Sequence, residues 1–171
     1  MTVTWGNHMK LTTRLMLIAC LALPFAACKK EDDKPKEAVA APVAVPTTGD
    51  KKAWQEYIKD VAKRNMEGVT SAPYAYFLPD ESSPDFAGEY ERQLEKMKGD
   101  VGRGILEGNM LVFGSPASAK MADAVIESFK EIQPGSMKGV KVVFIGAAAD
   151  NERVKAGVSP AGVDYVFVQT K

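Results

Sequence analysis

The sequence is short of the two residue types that carry most side-chain chemistry. Among 171 residues there is one histidine, His8, and there are two cysteines, Cys20 and Cys28. Beyond Cys28 neither type occurs. That part of the chain therefore has no His for acid–base catalysis, no thiol nucleophile, no internal disulfide and no His or Cys for a metal. An excess of one charge is also missing: 22 basic residues face 22 acidic ones, which leaves no basic field for nucleic acid. Nor is there an uncharged run long enough to cross a bilayer. The longest, Leu15 to Cys28, falls short of the roughly 20 residues that a spanning helix needs, and Lys29 and Lys30 close it.

What is present is uneven. Read from Met9, which we take as the true start, the chain has a short basic opening (Lys10, Arg14), the apolar stretch Leu15–Ala27, and then small residues, the three-part layout of an export signal. Ordinary secretory cleavage wants small side chains one and three residues before the cut. A cut after Ala27 puts Phe25 at the third position, and a cut after Ala26 puts Pro24 there; both fit badly.

The run Phe25-Ala26-Ala27-Cys28 resembles instead the lipobox of bacterial lipoproteins, although Phe25 stands where Leu is commonest. The resemblance covers about the first 30 residues. It implies that residues 1–27 are a signal peptide, that Cys28 is the lipid-attachment residue and new N-terminus, and that the bilayer is one partner of the protein. The residue after the cysteine is Lys29 rather than the Asp associated with inner-membrane retention, which favours the periplasmic face of the outer membrane.

From Lys29 to Gly49 clustered charges give way to Ala/Val/Pro repeats without an apolar face, so residues 28–49 are expected to be a lipidated, disordered linker averaging about 25 Å end to end. Residues 50–171 are expected to form one globular domain. Asp50 is a plausible N-cap for a helix over about Lys51–Glu67, on the recurrence of Trp54, Tyr57, Ile58, Val61, Ala62 and Met66. A second helix opens at Ser83-Pro84 and carries Phe86, Tyr90, Leu94 and Met97 on one face, loosening at Gly99. Met110–Phe113 and Lys141–Ile145 read as strands joined by a helix from Ser115-Pro116 through Ile132, a βαβ unit. Asp150 is expected to cap a short helix to Lys155, and Asp164–Val168 to form a third strand of undetermined direction. The expected fold is α/β: two N-terminal helices packed on a small, mainly parallel three-stranded sheet.

No segment matches a catalytic or cofactor motif. The glycines at 99, 102, 104 and 108 follow a helix and precede a strand, the reverse of a phosphate-binding loop, and Glu107 stands where the dinucleotide fingerprint needs its third glycine. Ser115 and Ser118 open a helix after a strand, where free amides can hold an anion, but Ser115 serves equally as an ordinary cap. Asp80, Glu81 and Asp85 lack the spacing of a calcium loop. The most unusual segment is Pro73-Tyr-Ala-Tyr-Phe-Leu-Pro79, read as a loop. There Tyr74, Tyr76 and Phe77 either meet a partner or pin the loop to the core. These features point to a non-enzymatic, membrane-anchored module without cofactor or metal, binding a protein or envelope component as an adaptor, inhibitor or immunity-type factor. A carboxylate enzyme, or a ligand carrier using Gly114–Ser118, is the alternative.

Overall fold

The computed structural model describes residues 41–170. Asp50 caps the first helix as expected, its carboxylate accepting the Ala53 N–H at 2.7 Å, and α1 runs over Lys51–Arg64. It is followed by β1 (Tyr74–Phe77), α2 (Phe86–Gly102), β2 (Met110–Gly114), α3 (Ser118–Phe129), β3 (Lys141–Gly146), α4 (Ala148–Val158) and β4 (Asp164–Gln169), with a short 3-10 turn at Ser159–Ala161 before the last strand.

The α/β class holds, but the sheet has four strands rather than three, in the order β1-β2-β3-β4 with every neighbour parallel. The extra strand is Tyr74–Phe77, the proline-bounded segment expected to be a loop; it pairs with β2 from Tyr74↔Leu111 to Phe77↔Gly114. Proline at the ends of an edge strand removes no ladder hydrogen bond, so Pro73 and Pro79 delimit this strand without preventing it. The strand Asp164–Val168, extended by Gln169, is parallel to β3.

With strands in sequence order, right-handed crossovers put all three connecting helices on one face of the sheet. The packing agrees. Met97 and Val101 of α2, Met121, Val125 and Phe129 of α3, and Val154 and Val158 of α4 share one core with Tyr76, Leu111, Phe113, Val142 and Phe144. The alternate strand residues Met110, Val112, Val143 and Ile145 meet Trp54, Tyr57, Ile58, Val61 and Ala62 of α1 on the other face. The two N-terminal helices thus lie on opposite faces of the sheet. The central strands are apolar on both faces, which is why Met110–Phe113 and Lys141–Ile145 read as nearly continuous hydrophobic runs.

One helix cannot cover a four-stranded face. The segment read as the end of a disordered linker does part of that work. The Val43 N–H donates to Asp60 at 3.1 Å, the Trp54 indole donates to the Thr48 carbonyl at 2.9 Å, and Val45 packs against the α1-side core with Val166 and Val168. Gly114 marks how closely α1 approaches the sheet, since a Cβ there would lie 2.8 Å from the Ile58 side chain.

Candidate functional site

Period-two alternation sorts the residues of β1. Tyr76 points into the three-helix core and is fully buried, while Tyr74 is 37 % exposed. Ala75 and Phe77 point to the α1 side, Ala75 exposed and Phe77 half-buried. Of the three candidate partner-binding aromatics, Tyr74 and Phe77 are at or near the surface. Tyr76 is instead an internal anchor: its ring stacks on Phe113 at a centroid distance of 5.0 Å, and its hydroxyl donates to Asp100 at 2.8 Å.

Asp100 is the hub beneath β1. It also accepts from Lys96 at 2.8 Å and from Arg103, and the Lys96 ammonium lies 4.4 Å from the centre of the Tyr76 ring. Burial, followed by the hydrogen bond to Asp100 and its charge, pushes the Tyr76 phenol far above its ordinary value. For Asp100 burial acts against the charged form, but the hydrogen bonds from Lys96 and Tyr76 outweigh it and hold the carboxyl below its ordinary value.

No strand pairs with the outer side of β1 among the described residues. Two cavities run beside this edge. One, of about 570 Å³, lies between α1 and β1; Ile58, Ala62, Met66, Pro73 and Phe77 make it apolar, and Lys59 and Lys63 stand at its rim. The other, of about 770 Å³, lies at the carboxyl end of β1 and is polar, lined by Asp80, Asp85, Glu89 and Gln93 together with Lys51 and the serines 82 and 83. Gln55, Ala75 and Phe77 line both, so the two are continuous along the strand. Asp80 folds its own turn by accepting from the Ser82 N–H and hydroxyl, and Asp85 pairs with Arg92 at 2.8 Å.

The carboxyl ends of β2 and β3 are built differently. Ser115 does not cap α3; its hydroxyl donates to the Leu78 carbonyl and accepts from the Ala117 N–H, which ties β1 to β2. Ser118, in the first turn of α3, donates to Asp150 at 2.6 Å and accepts from the Ala147 N–H. Asp150 sits in the first turn of α4 rather than at its cap, and Arg153 links it to Asp123 and the Ala119 carbonyl. The hydroxyls of both candidate anion-binding serines are therefore engaged within the protein, and a carboxylate already occupies the approach to Ser118. The strand order also never reverses, so the sheet lacks the switch-point crevice in which open α/β sheets commonly hold small ligands. Gly104 and Gly108, with φ of +88° and +80°, turn the chain from α2 into β2, as expected of a helix-to-strand connection.

The edge groove was only half-visible in the sequence. Its aromatics stood out, but Ile58, Ala62 and Met66 read simply as the core face of α1, and Gln93 gave no signal. Among the described residues no three His, Cys, Asp or Glu side chains gather to hold a metal, and no helix is long and apolar enough to cross a membrane. Cys28, the signal segment and linker residues 28–40 lie outside the described residues. Comparison of the chain with protein-family models, with curated proteins and with solved structures gave no match.

Proposed function

We propose that the chain is a membrane-anchored periplasmic lipoprotein, held at the outer membrane by an acylated Cys28, whose α/β domain binds a segment of a protein partner along β1. The observation that carries this reading is the continuous groove beside an unpaired edge strand. An open edge presents a row of backbone donors and acceptors, and chains dock on such edges by adding a strand while side-chain pockets provide selectivity. The groove supplies both parts: an apolar pocket under α1 and a polar one at the carboxyl end of β1. Anchoring near a membrane raises the effective concentration of the domain toward anything held at the same surface, so a short recognition strand suffices there.

Hydrogen exchange tests the reading. Amides of the segment 74–78 are expected to exchange at least about tenfold more slowly in native membranes than in the detergent-purified chain, a protection of about 1.4 kcal/mol. Equal rates in the two preparations would show the edge to be unoccupied where the protein works, and would remove the reading.

A further inference from the structure

We propose that the segment occupying this groove is an extended acidic strand added to β1 as a fifth strand, its large apolar side chain seated between α1 and β1 and its carboxylates paired with Lys51 and Lys59. The inference rests on the partner-binding reading above and names the chemistry of the partner.

The α1 wall of the groove carries two kinds of side chain. Gln55, Ile58, Lys59, Ala62, Lys63 and Met66 recur along it at helical spacing. Ile58 and Ala62, nearer the sheet, are buried, whereas Lys59 and Lys63 stand exposed at the rim. With Pro73 and Phe77 opposite, the floor of this cavity is apolar, and no carboxylate lines it. An apolar floor beneath a basic rim fits a partner that presents an apolar side chain next to an acid.

The edge of β1 holds such a partner in extended form. Strand Tyr74–Phe77 contains none of the charged residues or prolines by which natural edges are usually blunted, and a parallel edge strand leaves alternate N–H and C=O groups pointing outward. Ala75 is small and exposed at the junction of the two cavities, so its side chain leaves room for an added strand.

Charge decides the sign of the partner. The carboxylates at the carboxyl end of β1 already have partners: Arg92 bonds to Asp85 at 2.8 Å and lies 3.5 Å from Glu89, and Asp80 accepts from Ser82. Lys51 and Lys59 line the groove with neither an ion pair nor a hydrogen bond among the described residues. The charge left open to a newcomer is therefore positive. Spacing agrees, since eight residues at 1.5 Å rise set the two lysines about 12 Å apart along α1, close to the roughly 13.6 Å between i and i+4 on a strand. Carboxylates at i and i+4 thus reach both lysines, while the residue at i+2, on the same face of the strand, drops between Ile58 and Phe77. Rim pairs of this kind set register and on-rate, and the apolar anchor supplies most of the affinity.

The test is selection of a phage-displayed library of random nine-residue peptides on the full chain in lipid nanodiscs, where no detergent competes for the apolar floor. Enriched peptides are expected to carry Asp or Glu two positions from a large apolar residue, on one or both sides. A synthetic consensus peptide should lose at least about fivefold in affinity with the Lys51→Gln, Lys59→Gln double variant, and at least about tenfold with Ala75→Trp, which fills the groove. All three positions are exposed, so each variant should melt close to the parent chain. A consensus without an acidic residue, or one indifferent to the double variant but weakened by Ala75→Trp, overturns the acidic assignment and leaves the partner-binding reading standing. A consensus indifferent to both variants, or no enrichment at all, overturns both.

Discussion

Replacing residues 1–28 with a conventional cleavable secretory signal, so that the exported chain begins at Lys29 without the lipid, is expected to move essentially all of the protein from the membrane fraction to the soluble fraction. Each buried methylene of an acyl chain contributes about 0.8 kcal/mol, so one chain gives only reversible binding, whereas two or three hold a protein on the bilayer for practical purposes permanently. Among the described residues nothing offers a substitute. The described helices are too short or too polar to span a membrane, and the chain beyond residue 27 has two more acidic than basic residues, so it gains no attraction to an anionic surface. Intact mass of the membrane-extracted parent should show an acylated chain beginning at Cys28. An unmodified N-terminus, or a chain exported without residues 1–28 that still sediments with membranes, would contradict the anchor.

The second large effect is expected at Asp100. Substitution by alanine leaves the Tyr76 hydroxyl buried without a partner and removes the acceptor shared by Lys96 and Arg103. The cost should be about 2–3 kcal/mol in urea unfolding, a large share of the marginal stability of such a domain. Tyr76→Phe should cost only about 1 kcal/mol, because the stacking on Phe113 survives and Asp100 keeps its two cations. The pH dependence has a definite sign. The Asp100 carboxyl lies below its ordinary value in the folded state, so at low pH the unfolded chain binds the extra proton. The stability contributed by Asp100 is therefore complete above about pH 4–5 and fades as pH falls through its folded value. Asp100→Asn should flatten that part of the acid limb; an unchanged acid limb would show that the Tyr76–Asp100 bond does not tie β1 to α2 in solution. Because this bond fixes the central aromatic of β1, the same substitution is expected to loosen the edge that the partner uses.

How far the sequence reveals this arrangement depends on how strongly each segment signals its period. The α1 helix carries five buried residues at helical spacing behind a side-chain cap, and β2 and β3 are continuous apolar runs, so all three are legible from composition alone. Strand β1 is not, because five residues between prolines resemble a turn until α2 and β2 are recognised as the rest of a second βαβ unit. The alternation Tyr-Ala-Tyr-Phe was the available clue, and it also separates the buried Tyr76 from its neighbours. Helix α4 reads short because only Val154, Val158 and Asp150 of its eleven residues are buried, too sparse a stripe to mark both ends. Residues 43–48 look like spacer because their docking depends largely on Asp60 and the uncovered half of the sheet, which are distant in sequence. The groove is hidden for the same reason: it is made between α1 and β1, which only the assembled layers bring together.

The central claim is that a membrane-held domain engages a protein through the edge of β1. Its most direct test is site-specific photocross-linking in intact cells, with the reactive residue placed at Ala75 in the groove or at Ala156 on the exposed side of α4. A discrete adduct of one partner from position 75, absent from position 156 and lost when a cleavable secretory signal in place of residues 1–28 frees the chain from the membrane, is the predicted result. No adduct from position 75, or the same adducts from both positions, would contradict it.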